Sequence, residues 1–271
     1  MSVAYTYDGT LEGLMTAIYA AYANQCDPMD ICQSQNVQMR LDQEIVDIST
    51  DIDTAFRVRR GICRQLGMRV WSAIARASTC DDPATGTKVY RFVRYALDSK
   101  YACHCSGCLK KPRCSTPCRG GTSRVLDDCV HPSVRPLLAL QQHASSEAER
   151  MRQFIRFEHT AEGFWYAKCS PNASVIPLVM GHFARRFNTQ RFVIYDEAHH
   201  MAGMSAGGRW ELVRTDGISQ PERAQEETSM QDAWKRFYKA LSVESRYNPE
   251  LRRQFIPKRL WDNITELRDE P

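Results

Sequence analysis

Along this chain, apolar positions recur at steps of two in some stretches and at steps of three and four in others, which predicts a mixed α+β fold. Ala4-Tyr5-Thr6-Tyr7 reads as a short strand ended by the Asp8-Gly9 turn. Thr10 stands at an N-cap position, and Leu11, Leu14, Met15, Ile18, Tyr19 and Tyr22 then make one helical stripe that should stop near Asn24. Glu44–Ile48 reads as a second strand. Ser49 to Asp53 offers caps for a helix carrying Ala55, Phe56, Val58 and Ile62. Helical spacing returns over Met68–Ala77 and Thr87–Leu97, with Pro83 to Gly86 between them.

After residues 101–133 the helix resumes with Leu137, Leu140, Ala144, Ala148 and Met151. Phe154–Glu158 and Phe164–Lys168 flank Glu162-Gly163 as a hairpin would. A helix capped by Ser174 should run through Phe187, followed by a strand at Arg191–Tyr195. A strand pair is expected through His199–Met201 and Trp210–Val213, then a polar linker over 215–229. The last expected elements are a helix through Ala233, Trp234, Phe237, Tyr238 and Leu241, and short helices from Asn248-Pro249 and from Pro257. The expected architecture is a largely antiparallel central sheet covered by N- and C-terminal helices. It comprises an N-terminal α/β portion (1–100), a cysteine-rich insertion (101–133), and the sheet with the C-terminal helices (134–271) as part of the same domain.

Composition changes this picture in three places. Six of the 11 cysteines fall between Cys103 and Cys129, among prolines and glycines that disfavour regular structure. Cys103, Cys105, Cys108, Cys114, Cys118 and Cys129 have the short paired spacings that suit four thiolates on zinc, with an iron–sulfur cluster as the alternative and a loop of reduced thiols as the plain one. The longest apolar-rich uncharged run, Gly13–Cys26, is too short to span a bilayer, and no basic leader precedes it. A cytoplasmic protein without a membrane partner is therefore expected. The net charge of +4 is mild, but basic residues cluster at Arg185, Arg186 and Arg191, and again near the C-terminus at Arg252, Arg253, Lys258 and Arg259.

No P-loop, dinucleotide glycine fingerprint, zinc-protease helix or nucleophile elbow is present, which argues against the common nucleotide hydrolases and dehydrogenases. Three ordered blocks carry a likeness instead. Tyr5-Thr6-Tyr7-Asp8-Gly9-Thr10-Leu11-Glu12-Gly13 opens the chain. Phe154–Phe157, Tyr166-Ala167, His182–Phe187 and Ile194–Glu197 form the centre. Trp234–Tyr238, Glu244–Pro249 and Pro257–Trp261 close it. Together they resemble a bacterial family, built on a domain of unknown function, that is described as serving DNA metabolism or DNA repair. The resemblance implies a role beside a radical-SAM partner protein with a helix-hairpin-helix element, and a kinship with domains fused to uracil-DNA glycosylases. Arg252, Leu260 and His199-His200 depart from the family pattern, and the cysteine stretch lies outside its core.

The expected function is therefore a DNA-binding protein of repair or DNA metabolism. The alternatives are an enzyme acting directly on DNA, such as a nuclease, lyase or glycosylase, and an RNA-modification factor. Glu147, His182 and Asp196 are the candidate acid–base or ion-binding groups. His143, Glu147 and Arg150 share a helical face, which suits an ion-paired solvent face better than an acid–base cleft. Arg156, Arg185, Arg186, Arg191, Arg252, Arg253, Lys258 and Arg259 are candidates for phosphate contacts, and Trp261 for stacking a base.

Overall fold

The computed structural model describes residues 2–37, 40–99 and 124–268, which group into two compact units, Met1–Ser145 and Ser146–Pro271. The expectation for Cys103, Cys105, Cys108, Cys114 and Cys118 lies outside the described residues.

The first unit is built on a three-stranded parallel sheet. Its strands are β1 (Ser2–Tyr7), β2 (Asp30–Gln33) and β3 (Gln43–Asp47), in the order β2-β1-β3. Parallel neighbours need a crossover, and α1 (Leu11–Ala23) supplies it between β1 and β2. The opening sequence block makes this connection through local hydrogen bonds. Asp8 Oδ1 accepts from Thr10 N at 2.9 Å and Thr10 Oγ1 at 2.6 Å, and Thr10 Oγ1 in turn accepts from Gly13 N at 2.8 Å as the N-cap. A Cβ at Gly13 would stand 2.2 Å from Asp8 Oδ1, so only glycine admits this turn.

Strand β2 has only four residues, two of them buried, and no periodicity announces it. Three helices follow: α2 (Ile52–Leu66, capped by Asp51), α3 (Met68–Ala77) and α4 (Thr85–Asp98). Against β2, Thr87 Oγ1 accepts from Ile31 N at 2.9 Å and donates to Ile31 O at 3.2 Å.

Helix α5 (Val134–Phe154) gives its first residues to this unit, where Cys80 Sγ lies 3.1 Å from Leu140 O, and its last residues to the second. It continues through Phe154, so the first strand of the expected hairpin shortens to β4 (Glu158–His159). The hairpin itself is present. β4 pairs antiparallel with β5 (Trp165–Cys169), across a turn with Gly163 at φ +77°.

Helix α6 (Ile176–Arg186) then crosses to β6 (Phe192–Asp196), which lies parallel to β5. β7 (Met201–Ala206) and β8 (Arg209–Arg214) add on antiparallel, so three of the four pairings in this five-stranded sheet are antiparallel. Ile176, Val179, Met180 and Phe183 of α6 pack with Phe192 and Ile194, and Leu260, Trp261, Ile264 and Leu267 join the same core. Gly203 leaves room for this contact, because a Cβ there would meet Met180 Sδ at 2.3 Å. The linker expected over 215–229 is shorter, since α7 (Gln225–Leu241) takes its end, and α8 (Pro249–Phe255) follows. No helix among the described residues is long and apolar enough to cross a membrane.

Candidate functional site

The two ends of the five-stranded sheet differ in character. β5 and β6 run parallel and finish side by side at Cys169 and Asp196. The crevice beyond the carboxyl ends of parallel strands is where open α/β sheets most often place polar chemistry. Near these strand ends lie two fully buried carboxylates, Glu147 from α5 and Asp196. Glu147 accepts from Asn172 N at 3.0 Å, from Arg150 Nη1 at 3.2 Å and from Arg259 Nη2, while Arg259 Nη1 donates to Ser170 O at 2.8 Å. Burial by itself would raise the Glu147 pKa, but the Asn172 amide and the Arg259 and Arg150 guanidiniums outweigh it and hold the carboxyl below the usual range.

Asp196 takes the opposite course. Burial raises its pKa, and His199 with the turn amides offsets this only in part. Its Oδ1 accepts from Ala198 N at 3.1 Å and His199 N at 3.2 Å, closing the turn after β6, and its Oδ2 lies 2.6 Å from His199 Nδ1. Cys169 is buried beside both carboxylates, and desolvation followed by their charges lifts its thiol well above the ordinary value.

Glu147 and Asp196 thus both act on the buried Cys169 at this end of the sheet. His182 does not join them. It is half-buried within α6, with its ring edge-on to Phe183. The imidazole at this edge is His199, which the sequence shows only as an Asp-x-x-His spacing after a strand. His143 is exposed, unlike Glu147 one turn further along α5.

At the opposite end of the sheet, cations collect. Arg185 and Arg186 end α6, Arg191 precedes β6 and Arg209 opens β8, and all four are exposed. The Gly207-Gly208 turn brings β8 to this corner, where a Cβ on Gly208 would lie 3.7 Å from Asn188 Cβ. Strand alternation sorts the neighbouring side chains by face. Phe192, Ile194 and Gly203 face α6, so Arg191, Val193, Met204, Arg209 and Glu211 take the opposite face. This end of the sheet holds a groove of about 540 Å³, lined by Phe164, Arg191, Val193, Met204, Arg209 and Glu211 and also by Phe192, Ser205 and Trp210 of the helix side. Trp210 falls on the helix side and is 38% exposed.

The C-terminal candidates divide. Trp261 is a core residue, 4% exposed, whose Nε1 donates to Ile256 O at 2.9 Å; Arg252 and Lys258 lie over its ring at 4.9 and 5.5 Å, so it does not offer a base a free face. Arg259 is spent on Glu147, and Arg156 pairs with Glu266 at 3.0 Å. Arg253 and Lys258 remain exposed. Of the six clustered cysteines only Cys129 is described, as an exposed free thiol, and no group of three or more His, Cys, Asp or Glu able to hold a metal occurs among the described residues.

No curated protein and no solved structure matches the chain. A family model does match, described as a domain of unknown function (DUF4130), over residues 119–266. This is more than half of the 271 residues and includes every residue named at both ends of the five-stranded sheet, and the chain belongs to that family.

Proposed function

We propose that this chain is a nucleic-acid-binding protein of DNA metabolism or repair, acting beside a radical-SAM partner. The observation that carries the binding role is the exposed arc of Arg185, Arg186, Arg191 and Arg209 around one corner of the sheet. Guanidiniums hold phosphate oxygens through forked, charge-assisted hydrogen bonds, and several along one surface suit a polyanion. The pathway and the partner are supported by the three ordered sequence blocks. The test is fluorescence anisotropy of the intact chain with labelled DNA across a salt series. Affinity should fall steeply with salt, and replacing all four arginines by alanine should flatten the slope by roughly 0.9 for each phosphate no longer neutralised. Absence of any DNA affinity at low salt would overturn the proposal. The cysteine spacing supports a zinc role for residues 103–129; metal analysis of the intact chain against a Cys105→Ser/Cys108→Ser variant tests it.

A second reading is favoured by the Asp196–His199 pair, an imidazole oriented by a buried carboxylate. Such a pair can act as a general base, making the chain an enzyme on DNA. Strand cleavage or base release that persists in His199→Gln would remove this reading. Glu147 is the poorer probe, because its substitution breaks a buried ion pair.

A further inference from the structure

We infer that the groove at the Arg191–Arg209 end of the five-stranded sheet takes an unstacked base, so that this surface selects single-stranded over duplex nucleic acid. The inference rests on the binding role proposed above and names its substrate class.

Three features point to it. First, the groove, at about 540 Å³, is the size of pockets that take small organic ligands, and its lining comes from the sheet strands and Phe164 beside them rather than from a helix. Duplex readout is commonly carried by a helix or ribbon inserted into a groove of the DNA, whereas single strands are gripped on open sheet surfaces through aromatic side chains. Second, the lining combines a half-buried Phe164, backed by Tyr166 and Tyr195, with Val193 and the thioether of Met204, which is 42% exposed. An aromatic ring beside an aliphatic and a thioether group suits the π-face of a base, and in a duplex that face is occupied by neighbouring bases. Third, the charges are placed for a backbone. Arg191 precedes β6 and Arg209 opens β8, two strands away across β7, and the register sets Phe164, Arg191, Ala206 and Arg209 in one row at the end of the sheet, with Val193, Met204 and Glu211 in the next row of the same face and Glu211 as the carboxylate among the lining residues. A strand running along that end row would set phosphates on the two arginines and a base on the ring of Phe164 beside Arg191.

Anisotropy titrations with the intact chain decide the matter, using a fluorescein-labelled oligothymidine and a duplex of matched length at one salt concentration. The single strand should bind about ten-fold more tightly or better. Phe164→Leu keeps apolar bulk but removes the π-face, and should weaken single-strand binding roughly five-fold or more while leaving the duplex unchanged. Arg191→Ala/Arg209→Ala should weaken binding to both forms and lower the salt slope. The thermal melt of Phe164→Leu, compared with the parent chain, checks that the fold is intact. Equal or tighter duplex binding by the parent chain overturns the inference without need of any variant, as does unchanged single-strand binding in a folded Phe164→Leu protein. Binding to neither form would instead overturn the nucleic-acid reading itself.

Discussion

Glu147 illustrates what a single residue does here. Sequence spacing put it on a helical face with His143 and Arg150, which suited an exposed ion pair as well as a catalytic carboxylate. In the fold its side chain is 1% exposed and holds Arg259, 112 positions along the chain, together with the Asn172 amide. Removing the carboxylate leaves a largely buried guanidinium without its counter-charge, so Glu147→Ala should lose about 3 kcal/mol, as breaking a buried pair does. Urea denaturation would check this; a loss below about 1 kcal/mol would show that Arg259 finds water or another partner. Arg156 and Arg259 look like free cations in the sequence because their partners, Glu266 and Glu147, are remote in the chain. Arg185, Arg186 and Arg191 stay exposed, as a run of arginines at the polar end of a helix suggests.

At the scale of elements, long periodic helices were legible and their docking was not. The stripe that predicts the last long helix is real, and α7 forms around it. Yet Met230, Trp234, Phe237 and Leu241 are 68, 43, 54 and 65% exposed, while Glu227 is 8% exposed and accepts from His159 N at 3.0 Å. A helix commonly turns its apolar stripe inward, and only the fold reveals that this one does not. Met230→Lys should therefore change stability by no more than about 0.5 kcal/mol, read from thermal melts; a larger loss would mean that Met230 is buried in solution.

Helix α4 makes the contrary case. Gly86 lies in its first turn, where alanine would ordinarily stabilise a helix by roughly 0.5–1 kcal/mol. Here an added Cβ would stand 2.4 Å from Ile31 O, backbone that cannot step aside. Gly86→Ala should instead destabilise by about 2 kcal/mol. A rise in the melting temperature would contradict the close approach of α4 to β2.

For the whole molecule, buried carboxylates set the response to acid. Glu147, Glu158 and Glu266 each have a pKa held below the ordinary carboxylate range: burial pushes each upward, and hydrogen bonds and charges from their partners outweigh it. A carboxyl whose folded pKa is depressed contributes stability that is fully present above its unfolded value, about 4.3, and is lost as pH falls toward the folded one. Asp196, whose pKa is raised, runs the other way, losing stability as pH climbs from the unfolded value through the folded one. With Asp27, Asp51 and Asp82 lowered as well and Asp196 alone raised among the described carboxyls, the melting temperature should fall on acidification below about pH 4.5. Glu158→Gln, which disrupts the ion pairs to Arg223 and Arg268, should lower it at neutral pH and make the acid limb shallower. A melting temperature that stays level from pH 6 to pH 3 would contradict this reading of the three glutamates.

The sequence alone determined most of the local structure: the Asp8-Gly9 turn, the Thr10 cap, the long helices, a hairpin around Glu162-Gly163 and a strand over Arg191–Tyr195, though the first hairpin strand, expected at 154–158, forms at Glu158–His159. Each depends on chemistry within a few residues, whether a side-chain cap, a positive φ at glycine or a run of apolar side chains on one face. Tertiary structure decided the rest: the parallel pairing of β5 with β6, the four-residue strand β2, the inward turn of Arg259 and Trp261, and the choice of His199 over His182 at the carboxylate edge. These follow from contacts between residues tens of positions apart, and such contacts leave no periodic trace because each is specified by the shape and charge of a distant partner.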